Sequence, residues 1–444
     1  MNNLDILIQN GTVLTMDDGD SIIQDGLIGI KGGKIEYSGK LPVGDFEAKI
    51  KIDARGGLIL PGLINGHTHA AMTLFRGLAD DLPLMEWLNN YIFPVEAKMD
   101  AEFVFTGSLL ACAEMILSGT TTFCDMYLFE DEVAKAAKSS GMRCIVGEVL
   151  YDFDSPNYGS TENGLIYTES LIDRWKDDSL VSIAVEPHSP FTCSPSLLSA
   201  ANDLALKYKA PLITHLAETE TEINVVRERY GRRPVGHLDS LGILGPHLIA
   251  DHCVHLNDAE IDLFAEKGVK VVHNPESNMK LASGIAPIPA MLQRGLTVGI
   301  GTDGCASNNN LDLFGEMDTA AKLHKIGSMD TTVMDALTVV RMATIEGAKA
   351  LGIDDTVGSI EEGKKADIIV VDCNKPHLTP MYNPFSHLVY AARGEDVAYS
   401  IIDGRLVMDR RRLLVMDVDA VISEARRRAK DILEWLPSAS FKSK

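Results

Sequence analysis

The chain has 444 residues, of which 45% are hydrophobic and 23% are charged, a composition typical of globular proteins. This length suits one large α/β domain with a smaller second domain. The net charge of −22 and the isoelectric point near 4.9 exclude a surface built to bind nucleic acid or anionic lipid, because both require clustered lysine and arginine. A small-molecule partner is therefore expected, with no nucleic acid and no membrane.

The cysteines and the N-terminal segment bear on the cellular compartment. The seven cysteines are irregularly spaced and form no CxxC motif, which argues against a disulfide framework and a thiolate zinc site. The segment MNNLDILIQNGTVLTMDDG lacks the basic and apolar regions of a signal peptide, and no run is long and apolar enough to span a bilayer. We expect a cytoplasmic protein with reduced thiols.

The first part of the chain, residues 1–58, has the pattern of short β-strands broken by glycine turns, as in LDILIQNGTVLTM. From 59 to 355, short apolar runs alternate with longer helical patterns, which is typical of βα units around a parallel sheet. The runs are LILPGLINGH, TTFCDMY, RCIVGEVL, VSIAVEPH, APLITHLAE, HLIADHCVH, VKVVHNPE and LTVGIGTDG. Eight such runs over this length predict an α/β fold of the (β/α)8 TIM-barrel type.

The chain returns to a β pattern after residue 355. Residues 356–416 contain ADIIVVD and VAYSIIDGRLVMD, and residues 417–444 contain the charged helical pattern DAVISEARRRAKDILEWL. We expect the late strands to join those of 1–58 in a small β-sandwich domain beside the barrel. Residues 417–444 are expected to form a C-terminal helix.

Five of the eight apolar runs end in histidine or aspartate. These residues are His67, His69, His188, His215, His252 and Asp303. A single histidine at a strand end is more often part of hydrogen-bonded packing than a ligand. The carboxyl ends of barrel strands meet at one face, however, so five such ends together point to a common site. Imidazoles with one carboxylate suit a zinc-like divalent ion that keeps a position for water.

The motifs PGLINGHTH, THLAE, DHCVHL, HNPESNMKLASGIAP and GTDGCASNN resemble the amidohydrolase superfamily. Within it, they resemble the methylthioadenosine/S-adenosylhomocysteine deaminase family over nearly the whole chain. The resemblance implies metal ligation by His67, His69, His215 and Asp303. Binuclear members bridge two metals with a modified lysine from strand four, but the fourth run here contains no lysine. One divalent ion per subunit is therefore expected, with zinc as the first candidate and iron(II) as the second.

The resemblance also implies roles in catalysis. Asp303 would accept a proton from water, and His252 would steady the tetrahedral intermediate. Glu218, three residues after His215, would deliver a proton to a ring nitrogen and then to the departing amine. The implied reaction is hydrolytic deamination at C6 of an adenine nucleoside, with Glu218 and Asp303 also touching the substrate. The alternative for Glu218 is an exposed loop carboxylate.

Further residues are expected to bind the nucleoside. The segment LMEWLNNYIFPVEAKM resembles the family's substrate loop, in which Glu96 would accept the ribose hydroxyls. Trp87 would cover the nucleoside, or else lie in the core of an amphipathic helix. His188 resembles the family's second sugar contact. We expect His273 and Asn274 to support the site rather than to react.

The chain departs from some family members at the end of strand three, where it has Glu148 in place of an arginine. An arginine there would hold the carboxylate of S-adenosylhomocysteine, whereas a glutamate would repel it. We therefore expect Glu148 to face the substrate. Small uncharged 5′ groups, as in methylthioadenosine, 5′-deoxyadenosine or adenosine, should then be preferred.

Two other functions are compatible with the predicted fold. A related hydrolase could act on another aminated or halogenated heteroaromatic ring, such as guanine or a triazine, although Glu218 and the FPVEA segment count against it. A non-catalytic scaffold would have lost metal ligands, and none is missing. A cytidine-deaminase fold is excluded because its HxE and PCxxC motifs are absent. The resemblance also suggests a homo-oligomer.

Overall fold

The structure, a computed structural model, describes residues 3–40, 46–82, 86 and 88–436. Trp87 lies outside the described residues, so its predicted contact with the nucleoside remains a prediction. Within the described part the fold mixes helices and strands, as the sequence predicts for an α/β protein.

The strands are β1 (Asn3–Leu14), β2 (Ile22–Lys31), β3 (Lys34–Lys40), β4 (Glu47–Asp53), β5 (Leu58–Pro61), β6 (Leu63–Thr68), β7 (Thr120–Tyr127), β8 (Arg143–Leu150), β9 (Val181–Ile183), β10 (Glu186–Pro187), β11 (Leu212–Leu216), β12 (Leu248–His252), β13 (Lys270–His273), β14 (Val298–Ile300), β15 (Ile368–Val371), β16 (Val397–Ile402), β17 (Arg405–Asp409) and β18 (Arg412–Leu413).

The α-helices are α1 (Phe93–Glu96), α2 (Ala101–Leu117), α3 (Glu130–Ser140), α4 (Thr161–Trp175), α5 (Pro195–Tyr208), α6 (Glu220–Tyr230), α7 (Pro234–Ser240), α8 (Asp258–Lys267), α9 (Pro275–Lys280), α10 (Ile288–Gln293), α11 (Leu313–Ser328), α12 (Ala336–Met342), α13 (Ile345–Leu351), α14 (Pro384–Tyr390) and α15 (Val418–Trp435). Short 3₁₀ helices cover Ala70–Phe75, Pro376–Leu378 and Gly394–Asp396, and a π-helical turn covers Leu88–Ile92.

Strands from both ends of the chain form one mixed sheet of nine strands. Its order is β18-β17-β16-β15-β5-β1-β2-β3, and β4 pairs with β1. β5 pairs in parallel with β1 and antiparallel with β15, so it connects the early strands to the late ones. The predicted association of the two chain ends is therefore present in the structure.

Strands β6 to β14 arise from the eight apolar runs and pair with one another in parallel. One sheet has the order β10-β8-β7-β6, with β9 also beside β8, and the other has the order β11-β12-β13-β14. Backbone hydrogen bonds connect the two sheets on both sides. The N–H of Ile213 donates to Val185 at 3.0 Å, and the N–H of Asp303 donates to His67 at 2.9 Å.

The sequence predictions differ from the structure at two places along these runs. The fourth run forms two short strands, β9 and β10, instead of one. The first run is divided at Gly62, since β5 belongs to the nine-stranded sheet and β6 to the parallel strands. A Cβ atom at Gly62 would lie 2.1 Å from Oγ1 of Thr121, so only glycine fits where the chain passes between the sheets. The change of sheet thus occurs three residues after the expected boundary at 58/59.

Burial and capping explain the main elements. β7 and β8 are buried at every residue, as expected for parallel strands covered on both faces. α3 ends at Ser140 and is capped by Gly141, whose φ of 73° is the left-handed conformation in which glycine terminates helices. α15 begins after Asp417, which accepts the N–H of Ala420, and ends at Trp435, so residues 437–444 of the predicted C-terminal helix lie outside the described residues. Among the helices of the described ranges, none is long and apolar enough to cross a membrane.

Candidate metal centre

The four predicted metal ligands lie together at the carboxyl ends of β6, β11 and β14. The ring of His67 lies 4.9 Å from those of His69 and His215, measured between centroids. Oδ1 of Asp303 is 3.1 Å from Nε2 of His69 and 3.7 Å from Nε2 of His67. Candidate donor atoms of His67, His69 and Asp303 lie within 4.8 Å of one another, as do those of His67, His215 and His252. The geometry therefore brings together side chains that are far apart in the sequence.

All four imidazoles of this cluster have an acceptor close to Nδ1. The pairs are His67 with the Asp251 carboxylate at 3.0 Å, His69 with the Met126 carbonyl at 2.5 Å, His215 with the His188 carbonyl at 2.8 Å and His252 with Oδ1 of Asn278 at 2.8 Å. A proton held on Nδ1 leaves the Nε2 lone pair free to bind a cation or to accept a proton. The outer contacts thus orient the four rings for work at Nε2.

The donor set fits a divalent cation. Nε2 of His67 is buried and has no hydrogen-bond partner among the described residues, an arrangement that costs free energy unless a ligand binds there. Burial lowers the pKa of His69, but the hydrogen bond to Asp303 and its charge outweigh burial and raise that pKa to about 9. The site therefore favours positive charge between His69 and Asp303. Three imidazoles and one carboxylate are ligands that zinc accepts.

Glu218 follows β11, and its negative charge acts on His252 of this cluster. Burial lowers the pKa of His252, but the negative charges of Glu218 and Asp303 outweigh burial and raise it, which places Glu218 within electrostatic reach of the ring. The Glu218 carboxylate is half-buried, and its Oε1 lies 3.4 Å from the hydroxyl of Ser283. Glu218 is therefore not an exposed loop carboxylate.

The two predicted sugar contacts border the same cluster. Glu96, at the end of α1, accepts a hydrogen bond from the hydroxyl of Tyr127 at 2.8 Å, and the Tyr127 ring lies 6.0 Å from that of His69. Burial raises the pKa of Glu96, and the Tyr127 hydrogen bond partly opposes this rise. His188 lies with its ring 4.9 Å from that of His215, and its Nδ1 is 2.9 Å from Oγ1 of Thr192.

Glu148 has a different environment from the one expected. Its side chain is fully buried at the end of β8, and both carboxylate oxygens are bonded within the protein. Oε2 accepts the N–H of Glu130 at the start of α3, and Oε1 accepts from Nδ2 of Asn157, each at 2.9 Å. Burial raises the pKa of Glu148 to about 7. Repulsion of a substrate tail by a free Glu148 carboxylate is therefore not supported, and its contact with substrate remains a prediction.

His273 and Asn274 lie behind the cluster. Nε2 of His273 is 2.9 Å from Nε2 of His324 on α11, and both rings are buried. Nδ2 of Asn274 lies 3.5 Å from Nδ1 of His252. Both positions are compatible with the supporting role expected from the sequence.

Sequence reasoning missed three polar contacts of the site. The Ser277 hydroxyl donates to Oδ2 of Asp303 at 2.6 Å, and its neighbour Asn278 contacts His252. Asp251 lies beside His67. Ser277 and Asn278 occupy consecutive positions of α9, within the motif HNPESNMKL, which the sequence assigned only to the mouth of the site. Two adjacent small polar residues in a short helix directly after a strand were the available signal.

Comparison with known proteins agrees with this geometry. The sequence matches the amidohydrolase family over residues 58–407. A protein of Syntrophobacter fumaroxidans named 5-methylthioadenosine/S-adenosylhomocysteine deaminase is 61% identical over 96% of this chain and 98% of its own length. A protein of Methanosarcina mazei named 5′-deoxyadenosine deaminase is 48% identical over 97% and 98% of the two chains.

A solved structure is also closely similar. The crystal structure of an adenosine deaminase from Xanthomonas campestris with bound zinc superposes with a TM-score of 0.95 and 40% identity. The match covers 97% of this chain and 99% of that one. The family match extends over well more than half of the sequence, and the relatives are matched along nearly their whole lengths. The chain belongs to the amidohydrolase family.

Proposed function

We propose that this chain is a metal-dependent hydrolytic deaminase of adenine nucleosides, which it converts to the inosine analogue and ammonia. The observation that carries the proposal is the convergence of four candidate ligands on one cluster that Glu218 and His252 border. The names of the relatives support the substrate class. Methylthioadenosine, 5′-deoxyadenosine, adenosine and S-adenosylhomocysteine are the candidate substrates.

The proposed site holds one divalent ion on His67, His69, His215 and Asp303. Zinc is the first candidate, because the site is rich in imidazole and hydrolysis needs no redox chemistry, and iron(II) is the second. When bound, the ion would make water acidic enough to act as a nucleophile near neutral pH.

The chain's own residues then move the protons. Asp303 accepts a proton from the attacking water, while its Oδ2 is held by Ser277. The Nε2 side of His252 steadies the oxygen as its bond to C6 forms. Glu218 donates its proton to a ring nitrogen during attack, takes up the proton of the new C6 hydroxyl group and delivers it to the amine. The C6–N bond then breaks with release of ammonia, and the proton held by Asp303 restores the protonated form of Glu218.

Substrate binding completes the proposal. Glu96 accepts the ribose hydroxyls through the oxygen lone pairs that Tyr127 leaves free, and His188 supplies a second sugar contact. We expect small uncharged 5′ groups to be preferred over the homocysteine tail. This preference now depends on the missing arginine at the end of β8 alone, because the Glu148 oxygens are bonded elsewhere.

We also propose the finer architecture. The hydrogen bonds on both sides of the two parallel sheets support closure into a (β/α)8 barrel over residues 59–355. Residues 1–58 and 356–416 would form a two-layer sandwich, followed by the helix of 417–444.

All seven cysteines lie in the described part and are unpaired, which supports a reducing, cytoplasmic location. Light scattering would test the proposed homo-oligomer.

The test is ammonia release by the metal-loaded protein, followed together with the loss of adenine absorbance. The substrates are methylthioadenosine, 5′-deoxyadenosine, adenosine, S-adenosylhomocysteine, guanine and a chlorinated triazine. We expect deamination of the adenine nucleosides, its loss on chelation and its recovery when metal is restored. Turnover of guanine or the triazine alone would assign the chain to the other heteroaromatic hydrolases, and silence of the metal-loaded protein on every adenine nucleoside would contradict the proposed substrate class.

A further inference from the structure

Glu222 is a buried carboxylate that binds the backbone of the proposed proton donor. It occupies the third position of α6 and is 3% exposed. Its Oε1 accepts the N–H of Ala217 and its Oε2 accepts the N–H of Glu218, both at 2.9 Å. One side chain therefore binds two consecutive backbone N–H groups, that of Ala217 and that of Glu218 itself.

This arrangement departs from ordinary helix capping. Thr219 caps α6 and accepts the N–H of Glu222 at 3.2 Å. A glutamate at the third helical position usually returns to the N–H of the capping residue itself. Here Glu222 extends past Thr219 to the two residues before it. The contact thus stabilises the turn that carries Glu218 in addition to the helix end.

The turn requires such support. Ala217 has φ of 53°, a left-handed conformation that costs free energy in a residue other than glycine. Burying the Glu222 carboxylate is also unfavourable, and burial raises its pKa to about 7 although the two N–H groups oppose the rise. Within the described part of the chain, the Glu218 side chain makes a single hydrogen bond, the 3.4 Å contact with the hydroxyl of Ser283. Its position therefore depends strongly on the backbone that Glu222 holds.

We propose that Glu222 is a positioning residue for the deamination, and that it fixes the Glu218 carboxylate for proton transfer to the ring and to the leaving amine. This inference rests on the proposed function. A general acid works only within hydrogen-bond distance of its target, and a displacement of about 1 Å can cost roughly a hundredfold in rate. Glu222 would act without touching the substrate.

The test compares two leaving groups in the Glu222→Gln variant. A glutamine can accept only one of the two N–H bonds with good geometry, and it removes the charge. Methylthioadenosine needs a proton on its leaving amine, whereas a 6-chloropurine nucleoside loses chloride, which needs none. We expect kcat for methylthioadenosine to fall about 10- to 100-fold with little change in KM, and a smaller fall for the chloro compound.

Three companions make the result decisive. Glu218→Gln serves as the reference and should shift the ratio of the two rates in the same direction. Glu220→Gln, an exposed glutamate in the same helical turn, should leave both rates unchanged. Metal content by elemental analysis should be equal in every protein. Glu222→Asp, which keeps the charge but is too short to reach both N–H groups, replaces the glutamine variant if that one does not fold.

Several outcomes would overturn the inference. They are an equal loss on both substrates, a loss of metal in the Glu222 variant, or an unchanged kcat for methylthioadenosine. If the chloro compound is not turned over at all, the division of the effect between kcat and KM on methylthioadenosine decides. An unaffected Glu218→Gln variant would instead contradict the proposed function, so the two failures are distinguishable.

Discussion

At the scale of single residues, the orientation of the imidazoles is the main device of the site. Each of the four rings has its Nδ1 beside an acceptor, and the four acceptors belong to four different residues. His252 depends on a side-chain amide, Asn278, while His69 and His215 depend on backbone carbonyls. A substitution can remove the Asn278 acceptor, because it is a side-chain amide, and it does so without removing a charge from the site.

We expect Asn278→Ala to reduce kcat about 10- to 100-fold, the range found when outer hydrogen-bond partners are lost. Without the acceptor, the ring proton of His252 is free to move from Nδ1 to Nε2. The Nε2 atom then no longer presents a lone pair to the site. Asn278→Asp keeps an acceptor at this position and should recover much of the rate. Steady-state kinetics at equal metal content provide the measurement, and an aspartate variant no better than the alanine variant would contradict the role.

Glu148 gives a prediction for pH-dependent stability. Its folded-state pKa is about 7 and its ordinary value is 4.5, so the folded chain binds this proton more tightly than the unfolded chain. The free energy of unfolding should therefore fall as the pH rises from about 4.5 to 7, by ~3 kcal/mol at most, and then level off. Glu148→Gln should remove the contribution of Glu148 to this fall, because an amide side chain does not ionise in this pH range.

Urea titrations at pH 5 and pH 8 would measure the effect of Glu148→Gln. The exposed Glu228→Gln, on α6, serves as the control and should behave as wild type. The Glu148→Gln variant also tests the predicted contact of Glu148 with the substrate. An unchanged kcat/KM for methylthioadenosine would indicate a structural role for Glu148. A large loss of kcat/KM with unchanged stability would support its contact with the substrate.

At the scale of elements, the short helix α9 supports two parts of the site at once. Ser277 bonds to Asp303, and Asn278 bonds to His252. Ser277→Ala should weaken metal affinity roughly tenfold, because the Asp303 carboxylate loses the hydroxyl that orients it. Competition with a metal-binding dye would measure this affinity. The exposed neighbour Met279→Ala is the control, and equal affinities in both variants would exclude a role for Ser277.

The sequence predicts the elements better than their junctions. The eight apolar runs account for all of the strands from β6 to β14, since strands buried on both faces must be nearly continuous in apolar residues. The break between β9 and β10 and the change of sheet at Gly62 depend on contacts with distant strands, which no local pattern encodes. Element positions are thus local properties, and junctions are not.

The same limit applies to the site. Motif spacing locates the histidines, Asp303 and Glu218, because chemistry demands particular residue types at strand ends. The sequence did not indicate the hydrogen bonds of Glu148, whose oxygens accept from Asn157 and from the start of α3. Its position at a strand end was correct, but the direction of the carboxylate is set by elements that follow and precede it along the chain.

At the scale of the whole molecule, a buried ion pair joins the parallel strands to the nine-stranded sheet. Arg143, the first residue of β8, contacts Asp367 just before β15, with Nε 2.8 Å from Oδ2. Their side chains are 8% and 2% exposed. Asp367 also accepts the N–H of Asp403 at 2.7 Å. The Asp367 carboxylate thus contacts both Arg143 of the parallel strands and the turn between β16 and β17 of the nine-stranded sheet.

We expect Asp367→Ala to lower the free energy of unfolding by about 3–5 kcal/mol, because it leaves the buried Arg143 guanidinium without its closest carboxylate, and the Asp403 carboxylate lies 3.8 Å away. Urea denaturation followed by circular dichroism gives the measurement. Lys49→Ala removes an exposed ion pair with Asp5 and should leave the midpoint unchanged. Equal effects of the two substitutions would show that the buried pair does not hold the two sheets together.

The most direct test of the account is the rate of ammonia release from methylthioadenosine by wild type and by Glu218→Gln, with metal content determined in both proteins. We expect one divalent ion per chain in each protein and a rate about 10²- to 10⁴-fold lower in the variant, which is the usual contribution of a general acid/base. A variant that retains its metal and deaminates at the wild-type rate would contradict the assignment of Glu218 and the mechanism built on it.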